Sequence, residues 1–255
     1  MTPKSSFEQV VFLLVIAGEA AVLINLWRRR LSPSYPFFSL FMLFQFVRSV
    51  VLVGLNPNRN LYGWIWIPSE VISWILCYLV VFELYSKVLA DYPGIRRVSQ
   101  MVLAAGLALC LAVAAATLAI DMAGGAERFP ILRAVNVVRR GAASTLLLFL
   151  LLMLGYLAWY PAPLRRNLIV HAILNALYCL TISLTVFIRN IAGPALTRPL
   201  SCVIGACTVA ILAAWAVLLS QAGEQRISVA ALAWNRKDQA RLLEQLEAIN
   251  RTLAR

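Results

Sequence analysis

Histidine occurs once in this chain of 255 residues, at His171, and lysine only at Lys4, Lys87 and Lys237. Charged residues make up just 13% of the sequence. Each scarcity removes a class of chemistry. A bis-histidine haem needs two imidazoles within the bilayer. A retinal Schiff base needs a lysine deep in a helix, and these lysines fall in loops or at a helix end. Zinc and di-iron spacings, a nucleophile elbow, a Walker loop and a dinucleotide fingerprint are all missing. No enzymatic activity and no cofactor is expected. Cys77, Cys110, Cys179, Cys202 and Cys207 form no C-x-x-C and lie in apolar stretches, so they read as small core residues.

What fills the sequence instead is apolar. It is 62% hydrophobic with a mean hydropathy of +0.80, far above a soluble domain with a charged surface. Crossing a hydrocarbon core about 30 Å thick takes about 20 residues, and seven stretches qualify: 8–27, 36–55, 64–86, 101–120, 138–160, 168–190 and 200–220. The first is too long for a signal peptide, carries Glu19 and ends in Trp27-Arg28-Arg29-Arg30 with no small-residue cleavage site, so it is expected to remain. The predicted fold is an all-α bundle of seven transmembrane helices.

A net charge of +12 would suit nucleic acid if it formed one soluble patch. Here the basic residues sit between the spans, which speaks for topology control and for membrane lipids as surroundings, not nucleic acid. Arg28, Arg29 and Arg30, then Lys87, Arg96 and Arg97, then Arg165 and Arg166, and finally the tail mark one side. That reads as N-out and C-in, although Arg128, Arg133, Arg139 and Arg140 weaken the alternation.

Short Pro-, Gly- and Asn-containing loops join the spans. The longest external segment, about 121–137, is a candidate lid or interfacial helix. Ala104, Ala108, Ala112 and Ala116 recur every four residues, as do Cys202, Ala206, Ala210 and Ala214, and both stripes suit close helix packing. The chain divides into a seven-helix domain, 1–222, and a polar cytoplasmic helix, 223–255. In the latter, Leu242, Leu246, Ile249 and Leu253 follow a 4, 3, 4 spacing, the seam of a short coiled coil. So short a seam needs a partner: a second copy, a cytoplasmic signalling protein or the membrane surface.

Ionisable groups inside a bilayer are costly and pair inward. At 1.5 Å per residue Arg48 lies about 18 Å from the inner face, Glu70 about 21 Å and Glu19 about 12 Å, so Arg48 is predicted to reach Glu70 and also Glu19. Glu83 and His171 both fall about 5–6 Å from that face, with Asn175 one turn deeper, and form a second predicted pair and a candidate proton switch. Glu70 and Glu83 are about 20 Å apart along one helix and rotated by about 220°, which excludes a carboxylate dyad. Each cluster reads either as a register-fixing ion pair or as a ligand or ion site.

Seven spans running into a heptad helix resemble the seven-helix sensor regions that precede kinase or cyclase outputs in bacterial signalling proteins. "YPFF" at Tyr35 to Phe38, "FELY" around Glu83 and "YPGIRR" from Tyr92 are similar to a group of bacterial seven-helix proteins of unassigned activity. The resemblance implies a bacterial cytoplasmic membrane and a receptor-like role that passes a ligand- or membrane-driven helix shift to a partner through the tail. A small-molecule or ion carrier, and an accessory subunit of a membrane complex, are the alternatives.

Overall fold

The computed structural model describes residues 6–55, 59–90, 130–159, 163–192, 197–224 and 226–228, with single positions between 94 and 112 and between 244 and 252. Its helices are α1 (Ser6–Arg28), α2 (Pro36–Gly54), α3 (Arg59–Val88), α4 (Pro130–Trp159), α5 (Arg166–Ala192) and α6 (Thr197–Leu218). They pack in ring order from α1 to α6; α6 closes against α1, and α3 also meets α5. The chain is an integral membrane protein: five helical segments, 9–28, 36–54, 62–88, 166–185 and 199–218, are long and apolar enough to cross a bilayer. Leu13, Leu14, Leu148, Leu152 and Phe187 stand exposed on its outside, as lipid-facing side chains do. Trp27 and Trp64 are 77% and 78% exposed near the end of α1 and the start of α3, at opposite rims where indoles favour the interface.

Two of the seven expected spans fare differently. The stretch 101–120 lies mostly outside the described residues, and Met101, Ala104, Ala105, Ala108 and Ala112 are helical and exposed there. The stretch 138–160 belongs to α4, of which the described apolar part is Gly141–Gly155. Residues 130–137, expected in the long external loop, are instead the first turns of α4.

The small-residue stripes mark a packed face only in part: Cys202 is half-buried and Ala214 packs against the core. Ala104, Ala108 and Ala112 are exposed, and so are Ala206 and Ala210. Glycines do that work at the α1–α6 seam. A Cβ on Gly18 would meet Leu212 at 3.1 Å, and one on Gly205 would overlap Val11, so each helix offers a notch to a branched side chain of the other.

The rim where α1 ends is built in detail. Arg30 adopts φ 52°, its N–H bonds Trp27 O at 3.1 Å, and Leu31 N–H reaches back to Leu26 O at 2.9 Å. This is a Schellman closure with arginine where glycine is usual, and buried Leu26 and Leu31 supply the accompanying apolar contact. Asn25 Nδ2 then donates to Ala216 O at 2.6 Å, Arg29 Nη1 donates to Leu219 O, and Gln221 Nε2 donates to Arg29 O at 2.9 Å. The otherwise unpaired carbonyls at the end of α6 are thus satisfied by α1.

Beyond α6 a short 3-10 turn, Ala222–Glu224, leads to strand β2 (Arg226–Ser228), which pairs antiparallel with β1 (Pro163–Arg165), Leu164 opposite Ile227. The expected boundary after residue 222 therefore falls inside this turn, and the bundle reaches at least Ser228. In the tail Glu244, Gln245, Glu247, Ala248 and Thr252 are helical and exposed. The seam residues Leu242, Leu246, Ile249 and Leu253 lie outside the described residues.

Candidate functional site

Pro68 sits inside α3, where it cannot donate a backbone hydrogen bond, and the polar cluster gathers just after it. Ser69 Oγ donates to Trp66 O at 2.9 Å and accepts from Arg48 Nε at 3.0 Å. Arg48 Nη2 donates to Glu70 Oε2 as a direct ion pair. Glu70 Oε1 accepts from Trp74 Nε1 at 3.3 Å and lies 3.6 Å from Arg139 Nε. Glu70 is therefore bracketed by two guanidiniums, one from α2 and one from α4.

Glu19 does not join Arg48 directly. Its Oε1 accepts from Ser49 Oγ at 3.2 Å, and no ion pair within 4 Å forms with it among the described residues. Successive residues on a helix point about 100° apart: Arg48 is turned toward α3 and Ser49 toward α1. Arg139, which the sequence places in a run of basic residues with Arg128, Arg133 and Arg140, is also a member of this cluster. The available signal is its place at the very start of the apolar stretch, where a buried guanidinium needs a carboxylate.

The second expected pair does not form. Glu83 Oε2 accepts the backbone N–H groups of Phe37 and Phe38 at 3.1 and 3.2 Å, and Oε1 lies 3.9 Å from Lys87 Nζ, one turn away on the same helix. The start of α2 has unpaired N–H groups and a positive dipole end, and Pro36 leaves its own nitrogen without a proton. A carboxylate from α3 answers both, which is a better partner than a neutral imidazole. His171 is fully buried, and among the described residues neither ring nitrogen has a hydrogen-bond partner. Its ring lies 4.6 Å from that of Tyr35, 4.4 Å from Phe38 edge-on and 6.4 Å from Trp215. Asn175 serves the backbone, donating to His171 O at 2.8 Å.

The residue that organises this rim is one the sequence did not single out. Glu224 Oε1 accepts from Tyr35 Oη at 2.8 Å and from Asn167 Nδ2 at 2.6 Å, and Oε2 accepts from Arg165 Nη1 at 2.9 Å. Asn167 also donates to Ser220 O at 2.8 Å and accepts from Ser220 N–H at 3.3 Å. Gly223 packs so closely on Asn167 that a Cβ would overlap its side-chain oxygen. The result is a clasp: the segment that leaves α6 for the tail is held by the start of α5, by β1 and by the loop before α2. Tyr35 carries it inward, since its ring touches His171 and lies beneath Lys87 Nζ, 5.1 Å from the centroid. Burial, together with Glu224 beside it, holds the Tyr35 phenol well above its usual pKa.

A single glutamate in "QAGEQRIS" gave no pattern to read, and the clasp depends on residues brought together from three loops. Among the described residues no group of three or more His, Cys, Asp or Glu is placed to hold a metal ion. Comparison of the chain with family models, with characterised proteins and with solved structures finds no match.

Proposed function

We propose that the protein is a sensor- or receptor-like integral membrane protein that couples a small ligand or the state of its membrane to a cytoplasmic partner through the C-terminal helix. The single observation that carries this reading is the Glu224 clasp. The chain that continues into the tail is tied by one carboxylate to the entrances of α2 and α5. A helix shift in the bundle therefore has a short route to residues 226–228 and onward.

Orientation follows from charge. The rim carrying Arg28, Arg29, Arg30, Lys87, Arg165 and Arg166 faces the cytoplasm under the positive-inside rule, which puts the tail there with its partner, whether a second copy or a signalling protein. A carrier is less well supported, because Arg48 and Arg139 are spent on Glu70 and leave little charge to line a path.

The test is association. The full chain and a chain ending at Ser228 are purified in mild detergent and compared for homodimer and for co-purifying protein. Partner or dimer retained by the full chain and lost from the shorter one supports the reading. Identical behaviour of the two sinks it, and a partner held equally by both favours an accessory subunit.

A further inference from the structure

The lipid-facing side of α1 ends in unspent charge. Ala17, Ala21, Ile24 and Arg28 recur at steps of four, three and four residues, which places them on one face of the helix. All four are exposed, and so is Trp27 beside them. This face is apolar along the span, carries an indole at the rim and finishes in a guanidinium.

The three arginines that follow Trp27 divide their work. Arg29 is turned inward: its Nη1 donates to Leu219 O, and its own carbonyl accepts from Gln221 Nε2 at 2.9 Å. Arg28 and Arg30 are exposed, and neither side chain forms a hydrogen bond or an ion pair among the described residues. Arg30 also holds a left-handed backbone position, φ 52°, which glycine fills more readily. Closing the end of α1 therefore does not call for an arginine there.

The charges around the pair narrow what can complement it. Among the described residues the acids of this rim are Glu83 and Glu224, and both are engaged by protein donors. The tail beyond Ser228 holds five basic residues against three acidic ones, so neither the tail nor the rim of a second copy offers a negative surface. An anionic leaflet does. A phospholipid at this face puts its phosphate level with the helix end, its glycerol at the indole and an acyl chain along the apolar stripe. A guanidinium can meet that phosphate through two parallel hydrogen bonds.

We propose that Trp27, Arg28 and Arg30 form a binding site for the headgroup of an anionic phospholipid, with an acyl chain laid against Ala17, Ala21 and Ile24. The site flanks Arg29, which caps α6 just before the tail. The proposal rests on the receptor reading for its consequence, since it names the membrane state that is sensed as the anionic lipid at this rim, but its test reads lipid binding alone. Lipid selectivity without tail association fails the receptor reading only, and tail association without lipid selectivity fails this one only.

The full chain, purified in mild detergent, is titrated with phosphatidylglycerol or with phosphatidylcholine of the same acyl chains, and retained lipid is counted by native mass spectrometry. Wild type is expected to hold its first phosphatidylglycerol about tenfold or more tighter than phosphatidylcholine. An arginine near anionic lipid strengthens attachment about fivefold, so Arg28→Gln and Arg30→Gly should each weaken phosphatidylglycerol by that factor and leave phosphatidylcholine unchanged. Arg30→Gly also relieves the left-handed backbone, so its thermal unfolding without added lipid should come at or above the wild-type temperature. Arg28→Gln carries the test alone should Arg30→Gly unfold earlier. Arg166 is exposed on the same rim at the start of α5, and Arg166→Gln is expected to lose less than about twofold. Equal affinity for the two lipids, or wild-type phosphatidylglycerol binding in both Arg28→Gln and Arg30→Gly, overturns the site. A loss in Arg166→Gln as large as theirs overturns it too, and assigns the attraction to the whole rim.

Discussion

Tyr35 Oη donates to Glu224 Oε1 at 2.8 Å, a bond that joins the loop before α2 to the exit of α6 across 189 residues of sequence. The same tyrosine lays its ring against His171 and under Lys87, and Lys87 in turn faces Glu83, the carboxylate that caps α2. One side chain thus connects four features of the rim: the α2 entrance, the α3 end, the buried imidazole and the tail exit. Glu224 bonds both the loop before α2 and the start of α5.

Removing the carboxylate charge should loosen that exit without unfolding the bundle. Glu224→Gln replaces an acceptor that serves three donors by one whose amide opposes at least one of them. Hydrogen bonds to charged groups contribute about 1.5–3 kcal/mol each, so a local loss of about 2 kcal/mol is expected. Hydrogen exchange checks it: amides of 226–228 should speed up by more than tenfold while those of α2 and α5 stay near wild type. Unchanged exchange at β2 would show that the clasp carries no strain.

Alkaline pH should open the same contact. The Tyr35 phenol is held above its ordinary value by burial first and by Glu224 second. A group whose folded pKa is raised contributes stability that is complete below the unfolded value, about 10 for tyrosine, and is lost as pH climbs from there toward the folded value. Thermal unfolding should therefore weaken above about pH 10, with Tyr35→Phe less pH-dependent than wild type over that range. Parallel pH profiles for the two proteins would remove Tyr35 from the account.

Apolar periodicity and helix depth carried the reading of the sequence some distance, and the places where it stopped are physical. Arg48 and Glu70 meet because depth along two helices is simple arithmetic at 1.5 Å per residue. Glu83 and His171 share a depth and do not meet, because depth says nothing of azimuth and the unpaired N–H groups at the start of α2 compete for the same carboxylate. The small-residue stripes are packed only in part, with Ala214 on the core and Ala206 and Ala210 exposed, whereas Gly18 and Gly205 sit where a methyl would collide. Glu224 is illegible as a partner because it acts through contacts made only after several elements have assembled.

The deep ion cluster should respond asymmetrically to neutralisation. Glu70→Gln leaves Arg48 and Arg139 facing each other with no carboxylate between them, and breaking a buried pair in this way costs about 3–5 kcal/mol. Arg48→Met leaves Glu70 still neutralised by Arg139 and bonded by Trp74, so a smaller loss of about 1–3 kcal/mol is expected. The combined variant Arg48→Met with Glu70→Gln should be less damaging than the sum. Unfolding in detergent against denaturant measures all three; equal losses for the two single variants would show that Arg139 does not share Glu70.

His171 offers the sharpest separation between a paired and an unpaired imidazole. A histidine hydrogen-bonded to Glu83 would be expected to cost several kcal/mol on replacement by phenylalanine, because a buried carboxylate would lose its partner. Here Glu83 is satisfied elsewhere, the imidazole nitrogens have no hydrogen-bond partner among the described residues, and the rings of Tyr35, Phe38 and Trp215 surround them. Phenylalanine keeps the edge-to-face contact with Phe38 and removes two buried polar atoms, each of which costs about 1–3 kcal/mol unpaired. Its extra volume offsets part of that gain by about 1–3 kcal/mol of overpacking. His171→Phe should therefore unfold in detergent against denaturant within about 1 kcal/mol of wild type or above it. A loss of more than about 3 kcal/mol would mean that His171 finds a polar partner in the working protein.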